Sequence, residues 1–192
     1  WTFFEIDPTV IAIARDPKRF TFISECAPDA PVILGDARLT LARQPDAAHD
    51  LIIVDAYSSD AIPVHLATAE AMAIYKSKLA PQGAVVMHIS NRNLELQSVS
   101  IGIAAANNLR TWVYYDVAQP EDDANWKFAS DVVISAVDAA DIGSLKDNKL
   151  WIESEPTPGV RTWTDDYSNI AGAFWRKHYP ADDPVPPEPP AK

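Results

Sequence analysis

Apolar positions along the chain fall in short blocks, each closed by a carboxylate, a proline or a glycine. The sharpest block is Leu51-Ile52-Ile53-Val54, which stops at Asp55 and gives way to a polar loop ended by Pro63. An apolar run without polar alternation predicts a strand covered on both faces, as in a parallel sheet. Ligands of open α/β sheets bind beyond the carboxyl ends of the strands, where Asp55 and Asp60 would sit. Before this block the pattern predicts a strand over residues 2–6, a helix over 9–15 capped by Asp7 with Pro8 in its first turn, a short buried strand over 31–34, and a helix over 37–44. An ill-defined piece covers 20–26. After it come an amphipathic helix over 67–79 with Thr68 as its cap, a turn at Pro81-Gln82-Gly83, and a strand over 84–89. A long helix over 94–108 follows. Strands over 111–117 and 131–137, separated by an acidic loop at 119–126, predict an antiparallel hairpin at the sheet edge.

Beyond Val137 the pattern loosens. A short helix over 138–145 and a terminal helix over 168–176 are expected, the latter capped by Asp165 or Asp166. The last residues are proline-rich and carry no periodic apolar face. The division is therefore a domain over 1–178 and an extended tail over 179–192. Strands and helices alternate for more than a hundred residues, which predicts an α/β doubly wound fold with right-handed crossovers.

Composition narrows the function. With 192 residues the chain is long enough to bury a core. A formal charge of −11 argues against nucleic acid as a partner and is compatible with a cationic ligand. No stretch of about 18 apolar residues is present to span a membrane. The single cysteine, Cys26, rules out an internal disulfide framework and reads as a buried bystander. His49, His65, His88 and His178 lack metal-ligand spacing, so no metal is expected. His65 reads first as packing at a helix start, and His88 reads equally as a satisfied residue at a strand end. Trp112, Trp126, Trp151, Trp163 and Trp175 read as core and lid packing rather than base-stacking platforms. Trp1 to Asp7 reads as a strand already under way, so a longer polypeptide is expected.

Three carboxylates fall at consecutive strand ends: Glu5 with Asp7, then Asp36, then Asp55. A carboxylate just past a strand can accept both hydroxyl hydrogens of a ribose diol. Asp36 taken alone reads first as a helix cap, yet three acids in register point to a nucleoside-like ligand. Asp55 and Asp60 form a pair able to hold a cationic amine and take its proton. For Asp60, an alternative is that Ser58, Ser59 and Asp60 merely satisfy loop amides.

The segments FFEIDP, GDAR, DLIIVDAYSSDAIPVH, LAPQGAVVMHISNRNLEL and the late WTDDYSN together resemble the spermidine synthase (polyamine aminopropyltransferase) family, in its bacterial spermidine synthase-like branch. The resemblance covers residues 1–137 in order plus the TDDYS patch. It implies a class I methyltransferase-like Rossmann sheet, mostly parallel with an antiparallel edge hairpin. The reaction implied is aminopropyl transfer from decarboxylated S-adenosylmethionine to a diamine such as putrescine. Carried over by motif, Glu5 and Asp7 would hold the donor's ribose, and Asp36 with Ala37 its adenine. Asp55 would deprotonate the attacking amine, Asp60 would hold it, and Tyr57 would assist or pack over it.

Departures from the family pattern are equally specific. Asp55 and Asp60 lie five positions apart, where the family's paired aspartates lie three apart. His88-Ile89-Ser90-Asn91 stands where acceptor-binding glutamate and glutamine are expected. The glycine-rich first strand and the N-terminal hairpin domain are missing, and loss of that central strand would leave two half-sheets with unpaired edges. Two other functions fit the same residues. One is an S-adenosylmethionine-dependent methyltransferase. The other is a non-catalytic ligand-binding or regulatory domain covalently fused to a membrane transporter. The resemblance implies a cytoplasmic location, or the cytoplasmic face of the membrane in such a fusion, and is compatible with a homodimer.

Overall fold

The structure, a computed structural model, describes residues 1–56, 63–116 and 130–180. Tyr57, Asp60, Trp126, the acidic loop at 119–126 and residues 181–192 of the tail lie outside the described residues. Seven strands are described, β1 (Phe3–Glu5), β2 (Val32–Leu34), β3 (His49–Val54), β4 (Leu79–His88), β5 (Arg110–Tyr115), β6 (Asp131–Ala136) and β7 (Trp151–Ser154). The helices are α1 (Pro8–Ala14), α2 (Phe22–Cys26), α3 (Ala37–Ala42), α4 (Ala69–Lys78), α5 (Gln97–Ala105) and α6 (Ile170–His178). Short 3₁₀ segments cover Val64–Leu66 and Ala139–Asp147.

The strands form two sheets, β1-β2 and β3-β4-β6-β5-β7. β1 runs parallel to β2 and β3 parallel to β4, while β4-β6, β6-β5 and β5-β7 are antiparallel. The split falls between the strand ending at Glu5 and the strand leading to Asp55, where the half-sheets were expected. Among the described residues, β1 and β3 each keep one edge without a strand partner. α3 packs on α4 and β1, and Phe4 reaches the main core, so side chains hold the two sheets together.

That core lies on one face of the larger sheet, where Ile52, Val85, Met87, Val113 and Val133 meet Met72, Tyr75, Val99 and Ile103 of α4 and α5. A smaller cluster on Trp112, Ile134 and Ile142 covers part of the sheet beneath the Ala139–Asp147 segment. The prediction that β3 is covered on both faces is corrected. Ile52 is buried against the helical core, whereas Leu51 and Ile53, on the opposite face of the strand, are exposed. The strand expected to be buried over 31–34 is likewise half-open, with Leu34 exposed.

Caps follow the sequence closely. Asp7 accepts from the Thr9 amide and Thr68 from the Ala71 amide, satisfying orphan donors of α1 and α4. The terminal helix is different: Asn169 caps α6 by accepting from the Gly172 amide, so neither Asp165 nor Asp166 does so. The turn expected at Pro81-Gln82-Gly83 lies inside β4 as a register shift between its pairs with His49 and Leu51, and a Cβ on Gly83 would meet the carbonyl oxygens of Ala80, Asp50 and His49 at 3.0–3.1 Å. Two further expectations fail. Cys26 is exposed on α2, a helix with no buried residue. Trp175 is exposed too, stacked on Tyr179 at 4.3 Å rather than in the core. No helix among the described residues is long and apolar enough to cross a membrane.

Candidate active site

Each acid predicted at a strand end does lie at one. β1 ends at Glu5, whose Oε1 accepts the Asp7 amide at 2.9 Å, which fixes the orientation of the carboxylate. Asp7 in turn accepts the Thr9 amide at 2.7 Å, and that hydrogen bond holds its pKa below the ordinary 3.8. β2 passes through Gly35, whose φ of +142° is a conformation that side chains resist, and delivers Asp36 to the start of α3. There Asp36 Oδ1 accepts the Leu39 amide at 2.9 Å and Oδ2 lies 2.9 Å from His65 Nε2. Burial pushes the Asp36 carboxyl up, but the Leu39 amide and the His65 imidazole outweigh it and leave the pKa lowered. Ala37 is the first residue of α3, half-buried beside it. Asp36 is therefore the cap its sequence suggested, and both of its oxygens already have partners.

The His65 contact also shows that the end of β2 and the segment following β3 share one edge of the molecule. Arg38, two residues beyond Asp36, strengthens that junction. Its Nη1 donates to the His65 carbonyl at 2.9 Å, and its two terminal nitrogens grip both Asp165 oxygens at 2.7 Å each. Thr68 Oγ1 adds a third donor to Asp165 at 2.8 Å, and the Asp165 amide donates to Glu70 Oε2 at 2.9 Å. The Arg38 guanidinium holds the Asp165 pKa down against the opposing effect of burial, with Thr68 helping. Arg38, His65, Thr68, Asp165 and Tyr167 line a cleft of about 390 Å³. The TDDYS patch thus belongs at this edge, as a latch on Arg38 and not as a helix cap.

A second cluster gathers at the end of β3. Asp55 is exposed, and its Oδ1 lies 2.9 Å from Nδ1 of His88 at the end of β4. His88 Nε2 lies 2.7 Å from Ser90 Oγ, which accepts the Asp131 amide at 2.7 Å. β6 runs antiparallel to β4, so its first residue, Asp131, arrives at the same edge as the last residue of β4. Burial raises the Asp131 pKa, opposed by Lys177 and His88 and reinforced by Asp116. Asp131 and Arg38 were not expected here. Arg38 lay inside the quoted GDAR motif, and nothing in the sequence signals Asp131 before strand direction is known. His88 stands in the sequence where the resemblance expects acceptor-binding residues, and it read equally as a satisfied strand-end residue. Tyr57 and Asp60 follow β3 in the sequence and lie outside the described residues.

No protein-family model matches the chain, and no curated protein sequence matches it. Solved structures do. A probable spermidine synthase from Corynebacterium glutamicum superposes with a TM-score of 0.57 at 15% identity, covering 88% of this chain and 64% of that one. The chain has a spermidine synthase-like fold. Spermidine synthase from Thermotoga maritima gives a TM-score of 0.51 at 15% identity over 90% of this chain, and a spermidine synthase bound to the transition-state analogue AdoDATO gives 0.50 at 13% over 90%. This chain spans only 56% and 55% of those two. The fold is a mixed α/β one, with parallel pairs β1-β2 and β3-β4 and with β7 widening the antiparallel edge. An exposed carboxylate hydrogen-bonded to an imidazole, as Asp55 is to His88, can accept a proton.

Proposed function

We propose that the protein is an aminopropyltransferase of the spermidine synthase kind, acting on decarboxylated S-adenosylmethionine and a diamine such as putrescine. The observation that carries this is Asp55, exposed at the carboxyl end of β3 and braced by His88, on a spermidine synthase-like fold. Glu5 and Asp7 would hold the donor's ribose, and Asp36 with Ala37 its adenine. A sulfonium is already a good leaving group, so the chemistry needs alignment and a base more than electrophilic activation. An ammonium N–H proton of the diamine passes to Asp55. The freed lone pair forms the new C–N bond as the C–S bond breaks, and its electrons stay on sulfur as a neutral thioether. Asp60 and Tyr57 are proposed to hold and cover the amine.

A second reading, ligand binding without catalysis, is favoured by one observation: His88-Ile89-Ser90-Asn91 follows β4 where the resemblance expects acceptor-binding glutamate and glutamine. One experiment separates the two. The full-length protein is offered putrescine with either decarboxylated or intact S-adenosylmethionine, and transferred groups are sought by mass spectrometry. Aminopropyl product supports the first reading, whereas ligand binding with no product from either donor supports the second. Asp55→Asn is expected to lower the turnover number by about 10²-fold or more, the usual worth of a general base. An unchanged rate in that variant removes Asp55 from the role of base.

A further inference from the structure

We infer that the base at this site is the Asp55–His88 pair rather than Asp55 alone, with His88 as a positioning residue that shares the transferred proton. This inference rests on the proposed aminopropyl transfer. Its basis is the chain Asp55 Oδ1···His88 Nδ1 at 2.9 Å, His88 Nε2···Ser90 Oγ at 2.7 Å, and Ser90 Oγ accepting the Asp131 amide at 2.7 Å. Because the amide already fills one Ser90 lone pair, the hydroxyl hydrogen is available for Nε2. The neutral ring then carries its hydrogen on Nδ1 and donates it to Asp55. After one proton is taken up, both ring nitrogens are donors, Nδ1 to Asp55 and Nε2 to the second Ser90 lone pair. Only the Ser90 hydroxyl hydrogen has to turn. Both protonation states are thus satisfied by the same heavy-atom positions, which a merely structural histidine does not require.

The charged groups around His88 are Asp55 at the end of β3 and Asp131 at the start of β6, with Asp116 after β5 and Lys177 on α6 acting in turn on Asp131. The proton balance is simple: the amine loses its proton to the pair, the C–N bond forms, the C–S bond breaks, and the pair later releases the proton to solvent.

The decisive variant is His88→Asn, whose side-chain amide can still donate to Asp55 from the Nδ1 position but cannot hold a proton. In the full-length protein this variant is expected to lower kcat by about 10-fold or more, with KM for the diamine within about twofold. The acid limb of its kcat/KM pH profile should also move to lower pH. A wild-type profile and kcat in His88→Asn would reduce His88 to a structural donor and overturn the inference. A second measurement needs no turnover. The His88 ring ¹⁵N signals at neutral pH should place the hydrogen on Nδ1 and should change on Asp55→Asn, and an unchanged spectrum overturns the pairing. Absence of product from the wild-type protein refutes the aminopropyltransferase reading, while the ¹⁵N spectrum still decides whether Asp55 and His88 act as a unit.

Discussion

Replacing Arg38 with methionine severs the tie between α3 and the turn at Asp165 while keeping most of the apolar stem. The size of the effect follows from how much water each partner sees. The Arg38 side chain is 14% exposed and that of Asp165 is 43% exposed. A fully buried pair broken on one side costs about 3–5 kcal/mol, and a fully exposed pair is worth about 0–1 kcal/mol. Here the bidentate geometry favours the upper part of that range, but solvent at Asp165 screens it and Thr68 still donates to the carboxylate. A destabilisation of about 1.5–2.5 kcal/mol is expected at pH 7, of which about 1–2 kcal/mol should appear as coupling in an Arg38→Met/Asp165→Asn double-mutant cycle. Urea unfolding of the four proteins measures it. The sign with pH is fixed by the lowered Asp165 pKa. The contribution is fully present above the ordinary carboxylate value of 3.8 and fades as pH falls below it through the lower folded value. Coupling below about 0.5 kcal/mol at pH 7, or coupling that persists unchanged in strong acid, would refute the latch.

Other expectations concern the acids on either side of it. His65→Ala removes the partner of Asp36 Oδ2, a hydrogen bond worth about 1 kcal/mol, so calorimetry with an adenosine-type ligand should show roughly fivefold tighter binding. A tenfold loss would instead make His65 part of the ligand site. Asp131→Asn should raise the melting temperature at neutral pH. A carboxyl with a raised folded pKa destabilises the fold only where it is ionised, so the gain should vanish below the unfolded carboxylate range. A lower melting temperature at pH 7 would show that the Asp131 charge is favourably paired.

Much of this was legible in the sequence, for identifiable reasons. β3 and β4 stand out as apolar runs ended by polar residues, and the β5–β6 pair by two such runs separated by a loop. Asp7 and Thr68 announced their caps because capping is a local interaction. What failed was non-local. Arg38 and Asp165 lie 127 positions apart, and no pattern links them until the chain is folded. Asp131 reaches the active edge only because β6 is antiparallel, which puts a strand's beginning where parallel strands have their ends. β7 was missed because Trp151-Ile152-Glu153-Ser154 is four residues long and takes its stability from pairing with β5. The covered-strand rule misread β3 because an apolar run reports the residues' tendency to be buried, not whether a neighbour is there to bury them. Cys26 is exposed for a similar reason: α2 buries none of its residues.

The split sheet has a mechanical consequence. On the proposed chemistry the donor's nucleoside is held by Glu5 and Asp36 on one plate, while the base, Asp55 with His88, rides on the other. Backbone ladders keep distances rigid within each plate, yet no ladder among the described residues crosses between them. Alignment of the sulfonium carbon with the attacking nitrogen then depends on side-chain ties at the seam: Asp36 to His65, Arg38 to the His65 carbonyl, and Arg38 to Asp165. A misplacement of about 1 Å can cost a reaction of this type roughly 10²-fold. Loosening those ties would therefore detune the reaction before it unfolded the protein.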